Sequence, residues 1–457
     1  MGQFPQSVYP LSMARKALAL FPVVLAASLV APLGCSGSRK DVALSKTTPE
    51  FDPSTVPMPA ADGPRLLAVV PSVPIQETPK ADAKQIGVLR GGSSLARSKE
   101  PISKEGCPGG WYAVRPRGFV CTGQVATLDM NHPALATFRT QPKLDAPLPY
   151  PYARTQAPTS LYEWDRSRGA AVKESGKLRK GSGLAVVGSW DASTPDGKNT
   201  HLGMTAEGRF VAADMVKEAE VPSFKGVELG EQTRLPMAFV VKHGVRTWKV
   251  KKQEAEKKGS VEPLTPVKLT GKFRQIGDEK FWATEEGKYV RHKDVTVVPP
   301  RSVFPDFANT PDQKWIDISV VTGSLVAYEG KKPVYATLVS PGRDRMGDPK
   351  TAAVTQMGVF PITGKHITSS KPGVKPWSED FDLQDVPWVL DIASGQSIHG
   401  AWWHNRFGIE YGPGNVQVTP SDAAWLFRWA GPELPEGWHE VTMPADADKK
   451  TMVVIRK

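Results

Sequence analysis

Residues 398–429 read IHGAWWHNRFGIEYGPGNVQVTPSDAAWLFRW, and this stretch decides how the chain is read. It has the pattern of a His-bearing strand, a glycine-rich loop and a short helix that begins near Thr419. Thr419 suits the N-cap, Pro420 the first helical turn, and Asp422 a position where the helix dipole favours an acid. Ala423, Leu426 and Phe427 recur at helical spacing and give the helix one apolar face. Two histidines, His399 and His404, stand ahead of a loop at Gly412-Pro413-Gly414 that is able to approach a ligand closely. The layout is that of an active site, although layout alone specifies no chemistry.

The stretch resembles the catalytic segment of the L,D-transpeptidases, cysteine enzymes that cross-link peptidoglycan. The pattern there runs His-Gly-Ala-Tyr-Trp-His-Asn, then Phe-Gly, then Ser-His-Gly-Cys-Val-Asn, then Leu-Ser-Pro-x-Asp-Ala-x-Trp-Leu. His399, Gly400, Ala401, Trp403, His404 and Asn405 match the first part, and Phe407 and Gly408 the second. Thr419, Pro420, Asp422, Ala423, Trp425 and Leu426 match the last. Without a gap, the third part falls on Gly412, Pro413, Gly414, Asn415, Val416 and Gln417. The His, Gly and Cys positions of the family are therefore Pro413, Gly414 and Asn415.

Thioester chemistry needs a thiolate, an imidazole to take its proton, and backbone N–H groups for the oxyanion. An asparagine amide is neither nucleophile nor base, and proline has no imidazole and no N–H. The expectation is a degenerate member with no intact catalytic set. The resemblance implies that His399, Gly400, Trp403, His404 and Tyr411 border a substrate cleft; the alternative for each histidine is packing or hydrogen bonding. If chemistry has moved elsewhere, His404 is the base to consider, with Thr419 and Ser421 as the nearby hydroxyls. Thr419 is expected to be occupied in capping the helix.

The resemblance extends over roughly residues 313–440. WIDISVVTGSLVAYEGKKPVYATLVSPGR (315–343) forms three short alternating strands with turns at Thr322-Gly323 and Gly330-Lys331, as in the opening meander of the family. Thr355-Gln356-Met357-Gly358-Val359-Phe360-Pro361-Ile362 aligns with Thr-Pro-x-Gly-x-Phe-x-Ile. Val386-Pro387-Trp388-Val389-Leu390 then leads towards the His-Gly pair.

At the other end, Arg15 and Lys16 precede an apolar run, Ala17 to Leu33, that is short for a membrane span and typical of a signal peptide. Pro32-Leu33-Gly34-Cys35-Ser36 resembles a bacterial lipobox, with Cys35 as the acylated residue. Residues 35–64 read as a flexible tether, because they are rich in Ser, Thr, Pro and Lys and poor in bulky apolar groups. The two remaining cysteines, Cys107 and Cys121, flank a strand at Trp111–Val114 and its turn, and an exported chain favours a disulfide between them.

Residues 65–303 carry repeated small β units. GVLRGGSSL (87–95) recurs as GKLRKGSGL (176–184), and Gly118-Phe119-Val120 recurs as Gly208-Arg209-Phe210-Val211. A third copy of that hairpin runs from Trp282 to Val290 through Glu286-Gly287. The first unit, with IGVLRGG and later WYAVRPRGFV, resembles bacterial SH3-like domains. Trp111, Tyr112 and Trp282 are either groove residues for a peptide or the cores of small barrels. The Pro-rich DAPLPYPYARTQAP (145–158) marks a boundary or an extended connection.

The fold class expected is mainly β, with tandem small SH3-like β-barrels: an SH3-like domain at 65–130, a second SH3-like β unit with connections at 131–235 and a third small β unit at 236–303, then a β-rich L,D-transpeptidase-like domain at 304–457 with one short helix after its loop. A signal peptide occupies 1–34. The net charge is +11, or +9 without Arg15 and Lys16, and it is dispersed among mixed runs such as KVKKQEAEKK. No basic helix stands out, and export argues against nucleic acid as a partner. Eight histidines are scattered, so no metal set emerges, and no cofactor is expected. The partners implied are peptidoglycan stem peptides or a wall-remodelling enzyme, with the membrane reached through a lipid anchor. The location implied is the periplasm or the outer membrane. The alternatives are an active transpeptidase or carboxypeptidase with a relocated catalytic group, and a lipoprotein that interacts through its β units.

Overall fold

The computed structural model describes residues 51–165, 167–168, 171–343, 354–371, 377–378, 380–444 and 447–457. The leader and Cys35 lie outside the described residues. Residues 51–57 are a small piece in themselves, in which Asp52 caps the 3-10 turn Pro53–Thr55 by accepting the Ser54 N–H at 2.9 Å.

Strands dominate the rest, and three β units precede the C-terminal domain. Each has seven strands: Arg65 to Thr127 in the first, Tyr152 to Glu218 in the second, Met237 to Val298 in the third. In the second and third, the order across the sheet is third, second, sixth, fifth, fourth, first, seventh strand. The first unit has the same order in two pieces, with a break between its fifth and fourth strands that the Arg97–Val114 bridge spans. The three units are thus one topology used three times. That relation was legible in sequence only through a few glycines and valines, and the third copy was the faintest.

Trp111 and Tyr112 are buried, so they belong to the interior and line no groove. Trp282 is half-buried beside the exposed Phe273, with Lys280 Nζ about 4 Å above both rings. The Cys107 and Cys121 sulfurs bond at 2.06 Å and close the loop around Trp111–Ala113.

The C-terminal domain opens with a meander, β1 (Lys314–Ser319), β2 (Ser324–Glu329) and β3 (Lys332–Leu338), paired antiparallel. The next strands are β4 (Gly358–Ser369), β5 (Val386–Ile392), β6 (Ser397–Gly400) and β7 (Val416–Val418). The helix α1 (Pro420–Trp429) follows, then β8 (Trp438–Thr442) and β9 (Met452–Arg456). β9 lies parallel to β1 and antiparallel to β4, so the last strand locks the meander to the site-bearing sheet. The other edge of β4 branches through β5 and β6 to β7, with β6 and β7 parallel.

α1 covers one face of β5 and β6 with Ala423, Leu426 and Phe427, all buried against Ile398, Val416 and Trp388. Close approach depends on Gly400, where a Cβ would stand 3.2 Å from that of Ala423. Thr419 caps the helix as expected, accepting the Asp422 N–H at 3.2 Å. Asp422 is fully buried and accepts from Gly226 N (2.7 Å), Tyr335 Oη (2.7 Å) and Thr337 Oγ1 (2.5 Å). The helix start is therefore tied to β3 and to the segment before the third unit, since a buried carboxylate is stable only when its acceptor sites are filled.

The β units are built onto this domain. The first unit's strand Gln85–Arg90 pairs with β8, and Trp438 and Val441 complete that unit's core. Gly87 permits this pairing, because any Cβ there would meet the Trp438 ring at 2.2 Å. The Pro-rich connection lies against the same domain: Pro147 accepts the Trp388 indole N–H at 2.6 Å.

Candidate functional site

β6 and β7 set the geometry. In their parallel register Ile398 faces Val416 and His399 faces Gln417. Strand alternation then puts Ser397, His399, Asn415 and Gln417 on one face of the sheet and Ile398 and Val416 on the other, under α1.

Asn415 is 1 % exposed, and its Oδ1 accepts the backbone N–H of Ser397 at 3.0 Å. The loop before it is latched from below. Gly414 O accepts both Thr355 Oγ1 (2.9 Å) and Gln396 Nε2 (2.8 Å), and Thr355 also takes the Gly342 N–H at 2.8 Å. Gly412 has φ +94°, and a Cβ there would fall 2.0 Å from Gln417 Nε2. Pro413 is buried between them.

Gln417 links the loop to His404. Its Nε2 donates to Tyr411 O at 2.9 Å, and its Oε1 lies 2.9 Å from His404 Nε2. His404 Nδ1 accepts the Arg406 N–H at 3.1 Å. A backbone N–H only donates, so Nδ1 is the acceptor and the proton of the neutral ring sits on Nε2, facing Gln417. Phe407 and Tyr411 pack on the ring at 4.9 and 4.5 Å. Burial holds the His404 pKa down to about 4, with the Gln417 bond opposing and Arg406 and Arg154 adding to the effect.

His399 is fully buried. Trp377 meets it edge-on at 4.8 Å and Trp403 stacks at 5.6 Å. Neither ring nitrogen has a well-formed hydrogen bond among the described residues. Burial drives its pKa to about 3, the Gly400 backbone opposing and His404 reinforcing. Both imidazoles are thus neutral near pH 7, and no thiol or hydroxyl hydrogen-bonds to either among the described residues.

The second β unit closes one side of the motif. Arg154 donates to Trp403 O and stands 5.2 Å above the Trp402 ring, and Tyr152 packs on that ring at 5.3 Å. What stays open is a cavity of about 450 Å³ beside His404, bordered by Arg154, Glu220, Trp402, Trp403 and Asn405. Of the five expected cleft residues, His404 borders this cavity with Trp403. Tyr411 supports the His404 ring, and His399 and Gly400 lie in the interior.

Sequence reading passed over Gln417, although its spacing of two from Asn415 on one strand would have put both on the same face. Arg154 and Tyr152 gave no signal, because they come from a distant unit. Among the described residues no group of three or more His, Cys, Asp or Glu is placed to hold a metal, and no helix is long and apolar enough to cross a membrane.

Residues 313–455 match the YkuD family, the L,D-transpeptidase catalytic domain. Among solved structures, an L,D-transpeptidase of Enterococcus faecium is 19% identical, over 31% of this chain and 49% of that one, with TM-score 0.22. One from Xylanimonas cellulosilytica is 18% identical, over 34% of this chain and 64% of that one, with TM-score 0.24. The chain therefore spans less than two thirds of the length of either. No curated protein matches.

Proposed function

We propose that this protein is an exported, lipid-anchored member of the L,D-transpeptidase group that has lost catalysis and binds peptidoglycan stem peptides or a wall-remodelling enzyme. The observation that carries this reading is Asn415. It occupies the nucleophile position of the family pattern, is buried, and has its carboxamide oxygen on the Ser397 N–H. The chain has three cysteines: Cys107 and Cys121 are bonded to each other, and Cys35 is the acylated residue in this reading. Among the described residues no free thiol therefore stands beside the two imidazoles, and acyl transfer through a thioester has no starting point.

Relocated chemistry finds little support, because His404 points its proton at Gln417 and accepts from backbone with its other nitrogen. The cavity beside His404 keeps what recognition needs: aromatic walls, the Arg154 guanidinium for a carboxylate, and Glu220 for an amine. The three β units, SH3-like in this reading, present the domain to the wall, and the second closes one side of the cavity.

The test is to incubate the mature chain with disaccharide-tetrapeptide fragments and to follow both binding and products. Binding without cross-linked or trimmed product is expected. Any product that disappears in a His404→Ala variant would establish an active enzyme instead.

A further inference from the structure

The sheet that carries His399 has a second face. Lys365 on β4 lies opposite Leu390 on β5, and Leu390 lies opposite Ile398 on β6. Residues directly opposite each other project to the same side, so Lys365 stands on the Ile398 face, away from His399. On that face, at the C-terminal end of α1, is a cavity of about 550 Å³ walled by Trp388, Phe427, Trp429 and Leu434, with Lys365 in its lining.

Lys365 is only 2 % exposed. Its Nζ stands 4.9 Å from the Phe427 ring centroid, and among the described residues it meets no hydrogen-bond acceptor and no carboxylate at ion-pair distance. The Lys365 stem is buried, and its ammonium reaches the cavity with no protein counter-charge at contact distance among the described residues. The other charges around it do not supply the pair. Lys314 Nζ donates to Trp429 O at 2.8 Å, and Lys449 is bound to Asp312 at 2.5 Å. Arg428, Lys450 and Glu433 complete the charged rim. Cations outnumber carboxylates there, and the cavity volume is that of a small-molecule site.

We propose that this cavity is a binding site for a carboxylate carried on an apolar group, anchored by Lys365. The carboxylate supplies the missing charge-assisted hydrogen bond, and the aromatic walls cover the apolar part. One buried donor among aromatic rings suits a monoanion with an apolar body better than a phosphate, which calls for several donors. Burial, then Lys314, holds the Lys365 amine down to about 7, with Glu433 opposing. An arriving anion favours the charged form, so binding is coupled to uptake of a proton. The site stands on the opposite face from Asn415 and does not depend on the reading of that residue.

N-acetylleucine and the uncharged N-acetylleucinamide, titrated into the mature chain by calorimetry and tryptophan fluorescence, test the proposal. The acid is expected to bind, the amide to bind on the order of tenfold more weakly or worse, and the acid to lose about tenfold between about pH 6 and about pH 8.5. Lys365→Met should keep the fold, because it removes an unpaired buried charge at nearly constant volume, and should abolish the preference for acid over amide. Should that variant not fold, proton uptake decides: titration of the unmodified chain at about pH 8 in buffers of different ionisation enthalpy should show close to one proton bound per acid. No binding of the acid, equal binding of the amide, an acid preference that survives in Lys365→Met, or binding without proton uptake would each overturn the assignment.

Discussion

Asn415 Oδ1 lies 3.0 Å from the backbone nitrogen of Ser397, across the parallel pair β6 and β7. The carboxamide therefore acts as a structural acceptor for β6, whose other edge pairs with β5 at Asp391. Asn415→Ala leaves a buried N–H unpaired and should destabilise the domain by about 1–3 kcal/mol. Urea unfolding checks this as a lower midpoint at unchanged slope. An unchanged midpoint would mean that the bond contributes nothing.

The two motif histidines should stay neutral well below the usual histidine range. Their pKa values are held at about 3 for His399 and about 4 for His404, chiefly by burial. The unfolded chain takes up these protons near pH 6.5, so the two rings withdraw stability as the pH falls from there towards 4 and 3. Imidazole NMR shifts should accordingly show no titration of either ring between about pH 8 and about pH 5. A midpoint near the ordinary value for either ring would contradict the buried, dry geometry.

His366 should behave in the opposite way. Its Nε2 lies 2.6 Å from Asp391 and its Nδ1 3.3 Å from Glu440. Burial opposes its charge, but the hydrogen bonds to Asp391 and Glu440 prevail and raise it to about 10. The folded state then holds a proton that the unfolded state releases near 6.5. Its contribution is complete below that pH and is lost as the pH climbs through about 10. The gap in thermal midpoint between the unmodified chain and His366→Gln should close across that window. A constant gap would show that the ring is uncharged.

Gly412 at φ +94° leaves no room for a side chain, with Gln417 Nε2 2.0 Å from where its Cβ would be. Gly412→Ala should lower stability by about 1–3 kcal/mol through backbone strain and should detach Gln417 from Tyr411. Loss of that bond frees the His404 ring, which NMR line shapes would register.

Much of this domain was readable because its signals are local. A cap at Thr419, glycines at tight turns, alternation in the meander and the family spacing around His399 each constrain a few consecutive residues, and the structure puts β1 to β7 and α1 there. The packing of Trp111 and Tyr112 was left open in sequence, because an aromatic in a strand looks the same whether it faces a groove or a core. The closing of the site by Arg154 and Tyr152 and the β8 strand that completes the first unit join residues more than two hundred positions apart, and the setting of Lys365 is made by several separate elements. No pattern within one stretch of chain encodes such contacts. The common strand order of the three units was hidden for a related reason: topology survives while the residues that once marked it change.

The most direct test of the central claim is covalent. The mature chain, incubated with a carbapenem and weighed intact, should show no acyl adduct, because Asn415 offers no thiolate and neither imidazole faces a hydroxyl among the described residues. A stoichiometric adduct mapping to residues 399–421 would contradict the account and mark the domain as a working enzyme.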